Sequence, residues 1–240
     1  MNARTTRSIR SITEVASGVH FVEGPSVNWT VLVGDDSVTL VDAGYPKDLE
    51  LVLASLERVG NGKPLETVLI THGHSDHIGS IRGLTARHAP QVLAAQAEIT
   101  NIRREVLHQV GLREVLPRLH RYGVAAWVVH ALASGGLGDV AVQAVQPITE
   151  NQPLVFSGHT VVALPAPGHT PGHTAYELPD VGILITGDAL VSGHPTSRRE
   201  GIQSLDDMFH TDPRLAAASL NRLAGMPDRT FLPGHGPLLD

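Results

Sequence analysis

The amino-acid sequence predicts an α/β protein in which two sheets pack face to face with helices on the outside. Three observations carry that expectation. The N-terminal third is a run of strands, a strand and helix alternation follows it, and after an inserted segment the chain returns to strands before a last helix and strand. Its 240 residues are read as one domain, residues 1–240, with no internal repeat or low-complexity linker to divide them.

Residues 18–22, 27–33 and 37–41 are β-rich runs separated by Glu23-Gly24-Pro25 and Gly34-Asp35-Asp36, which predicts a meander. Past Asp42-Ala43-Gly44, Leu49, Val52, Leu53, Leu56 and Val59 share one helical face until Gly60-Asn61-Gly62 ends the helix. Residues 67–71 read as a buried strand, 78–87 as a helix and 91–95 as another strand. From 97 to 132, Ile99, Ile102, Val106, Val110, Val115, Leu116 and Leu119 recur at helical spacing between charges, predicting an inserted helical segment longer than a simple connection needs. Strands follow at 140–145, 160–164, 174–178 and 182–186, then a helix at 213–223 and a strand at 230–232.

Composition removes several function classes. Cysteine is absent, so disulfide scaffolds, thiolate metal sites and thiol nucleophiles are excluded, whereas histidine is abundant at 14 residues. The net charge of −6 argues against a nucleic-acid partner. Residues 1–11 carry Arg4, Arg7 and Arg10 without an apolar run behind them and are read as a loose tail of a cytoplasmic protein. The longest uncharged stretches, 122–138 and 151–176, are too short or broken by prolines, so no membrane span is expected. Gly136-Leu137-Gly138-Asp139-Val140-Ala141 fits a dinucleotide glycine pattern but opens toward a strand-like run, and no Gly-x-Ser-x-Gly elbow or phosphate-binding Gly-x-x-x-x-Gly-Lys loop is present.

Thr71-His72-Gly73-His74-Ser75-Asp76-His77 packs four potential metal ligands into six positions between a strand and a helix. In an extended loop residues two apart point the same way, so His72 and His74 can grip one ion, while Asp76 and His77 turn elsewhere with the start of the helix. A capped, solvated helix start is the bland alternative for the same residues. Pro167-Gly168-His169, Gly187-Asp188 and Pro233-Gly234-His235-Gly236 each follow a strand, and loops at one rim of a packed core can converge on a common point.

With these motifs the sequence resembles the metallo-β-lactamase-fold superfamily of hydrolases over nearly the whole chain, from the meander through His235. The resemblance implies a four-layer αββα sandwich with a two-metal centre at one edge. It implies that His72, His74 and His169 hold the first ion, that Asp76, His77 and His235 hold the second, and that Asp188 bridges them. Asp42, in Val41-Asp42-Ala43-Gly44, matches a position that supports the ligand loop from behind. A carboxylate at Asp188 and the run from Pro167 to His173 look more like glyoxalase II, lactonases and related thioesterases than like true β-lactamases, which usually carry cysteine or serine there. Flavodiiron proteins, with a glutamate inside the first motif, and the RNA-processing branch, with added modules, match less well.

The chemistry expected is hydrolysis of an ester, thioester or lactone carbonyl of a small molecule by a hydroxide generated between two divalent ions. The His and Asp ligand set suits zinc, and iron or manganese accept the same donors. Asp76 is the expected proton shuttle and Asp188 the other catalytic carboxylate. His194 is the substrate-side candidate among the remaining histidines, His173 is read as a structural residue or a hydrogen-bonding neighbour of the site, and His20, His88, His108, His120, His130, His159 and His210 are read as surface or packing residues. Trp127, in the cluster Tyr122 to Val129, is expected to line the substrate pocket, or else to seal the insert or a homodimer contact. The competing readings are a mononuclear iron oxygenase of the persulfide dioxygenase type using only His72, His169 and Asp188, a β-lactam or phosphodiester hydrolase of the same fold, and a binding module with a vestigial site.

Overall fold

The computed structural model describes residues 7–240. Among the described residues twelve strands form two sheets. The first holds β1 (Ser11–Ala16), β2 (Val19–Glu23), β3 (Asn28–Val33), β4 (Val38–Val41), β5 (Leu65–Leu69), β6 (Gln91–Ala94) and β7 (Val145–Pro147) in sequence order, antiparallel as far as β4 and parallel beyond it. The second runs in the order β12 (Thr230–Pro233), β11 (Ile183–Gly187), β10 (Thr174–Leu178), β9 (His159–Pro165), β8 (Pro153–Phe156), with only the β11–β12 pair parallel.

Side-chain alternation along these strands makes the four layers, because successive residues face opposite sides of a sheet. Leu32, Val41 and Leu69 point inward and meet Tyr176, Leu178, Ile183, Ile185 and Leu232 of the second sheet. Their neighbours Val31, Leu40 and Val68 point outward, where Val52 of α1 (Leu49–Gly60) covers them. Ile78 of α2 (Ser75–Ile78) and Ile81 and Leu84 of α3 (Ile81–His88) complete that layer. On the far side Ala175 and Leu184 pack on Leu220 and Leu223 of the last helix, Pro213–Ala224, whose start is capped by Asp212 accepting from Arg214 N and Leu215 N at 3.0 Å each. The sandwich is therefore helix, sheet, sheet, helix, as the strand order predicts.

Several elements differ from the sequence expectation. Residues 1–6 of the expected tail lie outside the described residues, but Arg7 is held by Asp48 and Ser11 opens an edge strand, so the loose tail does not extend to them. The helix expected at 78–87 is split into α2 and α3, since Gly79 N donates to Gly44 O at 2.9 Å and Ser80 Oγ to Tyr45 O at 2.8 Å. A Cβ at Gly79 would lie 2.3 Å from Pro46 N, so the chain crossing here leaves no room for a side chain. The strand expected at 140–145 begins only at Val145, because Val142 N bonds to Ile102 O of the insert instead of to a neighbouring strand.

The insert expected over 97–132 is helical only in pieces: α4 (Ile99–Ile102), α5 (Leu112–Val115) and α6 (Val124–Ala133), with single turns at Gln96–Glu98 and Leu116–Arg118. Its helical spacing marks a buried stripe only in part, for Ile99, Ile102 and Val115 are buried whereas Val106, Leu116 and Leu119 are exposed. Among the described residues no helix is long and apolar enough to cross a membrane.

Candidate metal centre

Five loops leaving strand ends meet at one rim of the sandwich. Asp42 follows β4, the His72 to His77 segment follows β5, His169 lies beyond β9, Asp188 follows β11 and His235 follows β12. The two sheets are tied there by Thr174 N donating to Thr71 O at 2.9 Å and Asn28 N to Gly234 O at 2.8 Å. Gly187 adopts a left-handed backbone (φ 51°), and a Cβ on it would sit 2.8 Å from both Thr71 Oγ1 and His173 Nε2. Only glycine lets the strand turn Asp188 into the rim at this spacing.

All seven ligand candidates converge, as two groups of donor atoms whose members lie within 4.8 Å of one another: His72, His74, His169 and Asp188, and Asp76, His77 and His235. His169 Nε2 lies 3.0 Å from His74 Nδ1 and 3.4 Å from Asp188 Oδ2, and His72 Nε2 is 3.9 Å from the same oxygen. In the second group His235 Nε2 is 3.4 Å from Asp76 Oδ2, while His77 Nε2 stands 3.3 Å from Asp188 Oδ1. The Asp188 carboxylate thus lies between the groups, with Oδ2 also 3.4 Å from His235.

The outward nitrogen of every one of these histidines is fixed by a partner, which sets the tautomer and aims the other nitrogen into the cluster. His77 Nδ1 donates to Asp42 Oδ2 at 2.8 Å, His235 Nδ1 to Ser26 O at 2.8 Å and His74 Nε2 to His108 O at 2.6 Å. His72 Nδ1 pairs with Thr71 Oγ1 at 3.0 Å, whose own proton goes to Asp42 Oδ2 at 2.7 Å. Asp42 also accepts from Thr71 N at 2.9 Å, so one buried carboxylate supports both halves of the ligand loop. His169 Nδ1 faces His210 Nδ1 at 3.2 Å, and His210 Nε2 donates toward Ser204 Oγ and Leu205 O.

Charge in the cluster is divided. Burial opposes ionisation of Asp188, but the rings of His235 and His77 outweigh it and hold the carboxyl well below the usual range. Burial likewise works against a proton on His235, and Asp188 and Asp76 overcome it, raising the imidazole to about 10. His72 and His169 go the other way, held neutral by burial and by the other rings around them. His72 Nε2, His77 Nε2 and Asp188 Oδ1 are buried without a hydrogen-bond partner. Orphaned atoms of this kind cost about 1–3 kcal/mol each, and cations held by the two donor groups would satisfy them. Their nitrogen and oxygen donors, spaced near the roughly 3.3 Å edge of a tetrahedron with 2.0–2.1 Å bonds, fit a divalent metal.

Glu98 and His210, which the sequence did not place at the site, belong to it, and so does His173. Glu98, fully buried, accepts from Gly73 N at 2.8 Å and Asn101 Nδ2 at 2.6 Å through one oxygen. Through the other it accepts from Thr170 Oγ1 at 2.8 Å and Gly172 N at 2.9 Å, tying the loop of His72 and His74 to the loop of His169. His210, read from the sequence as a surface or packing residue, is half-buried against His169. His173 accepts from Asp188 N at 3.0 Å and stacks on His72, which realises its hydrogen-bonding alternative. Its repetition of the Gly-His pair four residues after Gly168-His169 was the available signal, whereas nothing in a lone Glu98 pointed to its role.

A cleft opens over the cluster, and His74, Asp76, His169, Asp188 and His235 are among the residues that line it. His194 and Trp127 both line it. His194 packs edge-on to His235, ring centres 4.9 Å apart, and Trp127 packs on Phe209 at 5.1 Å.

An αββα sandwich carrying a buried His and Asp cluster at one rim defines a metallo-hydrolase class of protein. The profile of the Metallo-beta-lactamase superfamily matches residues 22–235, and the chain belongs to that superfamily. A probable metallo-hydrolase, YflN of Bacillus subtilis (strain 168), is 25% identical over 239 residues, covering 96% of this chain and 84% of its own length. A hydroxyacylglutathione hydrolase of Bartonella quintana (strain Toulouse) is 25% identical over 85% of this chain, which spans only 61% of that enzyme. Among solved structures, a Cronobacter sakazakii metallo-beta-lactamase with a HARLDQ motif aligns with a TM-score of 0.65 over 96% of this chain and 80% of its own, at 20% identity, a likeness of fold.

Proposed function

We propose that this protein is a dinuclear metallohydrolase that cleaves an ester, thioester or lactone bond of a small molecule. The observation that carries the reading is the pairing of two donor groups around one shared carboxylate, Asp188, with each histidine aimed by its own partner. His72, His74 and His169 would hold one ion, Asp76, His77 and His235 the other, with zinc the metal best suited to these donors and Asp188 reaching both. Bound divalent ions supply Lewis acidity and bring the pKa of water from about 15.7 to near 7.

The chain's own groups do the rest. Asp76 is the ligand carboxylate that retains some exposure and it lines the cleft, which suits it to carry a proton toward the leaving oxygen or sulfur as the acyl bond breaks. The Thr196 backbone N–H donates to His194 Nδ1 at 3.3 Å, which leaves the proton of that neutral ring on Nε2 for a substrate oxygen. Burial, and then His235, hold His194 down at about 3, so it stays neutral throughout the working range. The hydroxyacylglutathione hydrolase relative supports thioesters within the substrate range.

Hydrolysis of a panel of esters, thioesters, lactones, a β-lactam and a phosphodiester by zinc-loaded and chelator-treated protein tests this. Metal-dependent turnover confined to the carbonyl substrates is expected. Phosphodiester or β-lactam turnover alone would overturn it, as would oxygen consumption by an iron-loaded protein that hydrolyses none of them.

A further inference from the structure

We infer that the substrate is uncharged along its acyl arm, and that an apolar chain or ring of several carbons fills the cleft between α6 and Phe209. This rests on the hydrolase reading and extends it to a substrate class.

Away from the ligand candidates the lining is mostly apolar, with Trp127, Val128 and Leu132 of α6, Leu112 of α5, Leu205 and Phe209, and its polar members are Tyr45, Gln109 and His194. Leu112 and Leu132 are 55% and 47% exposed although both border the cleft, so apolar surface at its entrance lacks a protein partner. Such surface gains free energy when a ligand covers it. Among the described residues no lysine or arginine lines the cleft. Two arginines of the insert lie near the cleft but are already paired, Arg121 with Asp206 at 3.0 Å and Arg104 with the Asn101 carbonyl, the Ser75 hydroxyl and the side chain of Gln109, itself a residue of the lining. A carboxylate carried into these walls would shed water without meeting a cation, which is unfavourable. A glutathione conjugate brings two carboxylates and is the wrong shape of charge for this wall, whereas a medium-length acyl chain or an unsubstituted ring suits it.

Trp127 supplies a readout independent of turnover. The chain has two tryptophans; Trp29 is sealed in the core and Trp127 borders the cleft. Zinc-loaded protein is titrated with butanamide, hexanamide, 6-amino-6-oxohexanoate and glutathione while tryptophan emission is followed, with Trp127→Phe to assign the signal. Hexanamide should bind about tenfold more tightly than butanamide, the effect of two buried methylenes, and its carboxylate-ended counterpart at least tenfold more weakly. Equal binding of hexanamide and 6-amino-6-oxohexanoate, no dependence on chain length, or tighter binding of glutathione would overturn the inference. Hydrolysis of phenyl hexanoate and hexanoyl thiophenol is measured in parallel. Chain-length-dependent binding without metal-dependent hydrolysis would refute the hydrolase reading and leave the pocket assignment standing. Hydrolysis with tighter binding of glutathione would do the reverse.

Discussion

Replacing Glu98 by glutamine tests whether a buried carboxylate outside the ligand set holds the site together. Glu98 receives four donors, two on each oxygen, and is fully buried. In Glu98→Gln one oxygen becomes an amide NH2 that must face two of those donors. The cheaper orientation turns the NH2 toward Thr170 and Gly172, because the Thr170 hydroxyl can rotate to accept, whereas Asn101 cannot turn its amide without abandoning the bond from His108 N to Oδ1. Gly172 N–H is then left unpaired in the interior, at a cost of about 1–3 kcal/mol, and the remaining bonds lose their charge assistance. A total of about 2–4 kcal/mol is expected, lowering the melting temperature by about 5–15 °C in a chain of this size. Because the released loop carries His169, the ion held with His72 and His74 should bind about 10–100-fold more weakly. Differential scanning calorimetry and competition against a chromophoric zinc chelator measure the two effects. A melting temperature within 2 °C of the parent together with unchanged zinc affinity would refute the reasoning.

His210→Phe keeps the packing beside His169 but removes the acceptor for its Nδ1 proton; affinity at the same site should fall about 10–100-fold, and unchanged chelator competition would contradict the assignment. Gly234→Ala sets a Cβ 2.4 Å from Asp188 Oδ1 and 2.8 Å from His77 Cε1, so elemental analysis should show loss of the ion held by Asp76, His77 and His235, and retention of a full complement would refute it. For the metal-free protein, a stability optimum near pH 6.5 is expected in urea unfolding. Burial first, then the neighbouring rings, hold His72 and His169 below their ordinary value, so stability rises as pH climbs toward 6.5 and the unfolded chain gives up its protons. His235 is raised to about 10 and His77 is raised as well, so the stability they add is complete below 6.5 and is lost as pH rises toward 10. Stability that climbs steadily from pH 5 to 10 would contradict this.

Most of the sandwich was legible because its strands and helices carry strong local patterns. Val161, Ala163, Tyr176, Leu178, Ile183 and Ile185 alternate inward, and α1 ends at Asn61 in a left-handed cap, where the Gly60-Asn61-Gly62 run predicts a stop. Strand β1 was not legible, since it is a half-exposed edge without a clear alternation, and β8 alternates between half-buried and exposed positions. In the insert, helical spacing misled in part, because Val106, Leu116 and Leu119 of the repeating pattern face solvent while Ile99, Ile102 and Val115 are buried. Ligand candidates stood out as clusters within single loops. Glu98 did not, because its partners Gly73 and Thr170 lie 25 and 72 residues away and no local motif joins them. His210 was hidden in the same way, 41 residues from His169.

The central claim is that two ions share Asp188 and that both are needed for hydrolysis. Zinc titrated calorimetrically into chelator-stripped protein, with phenyl hexanoate hydrolysis followed on the same samples, tests it most directly. Two ions per chain are expected, with turnover appearing only as the second is taken up, and Asp188→Asn binding fewer than two. Full hydrolysis at one ion per chain, or two ions and full turnover in Asp188→Asn, would contradict it.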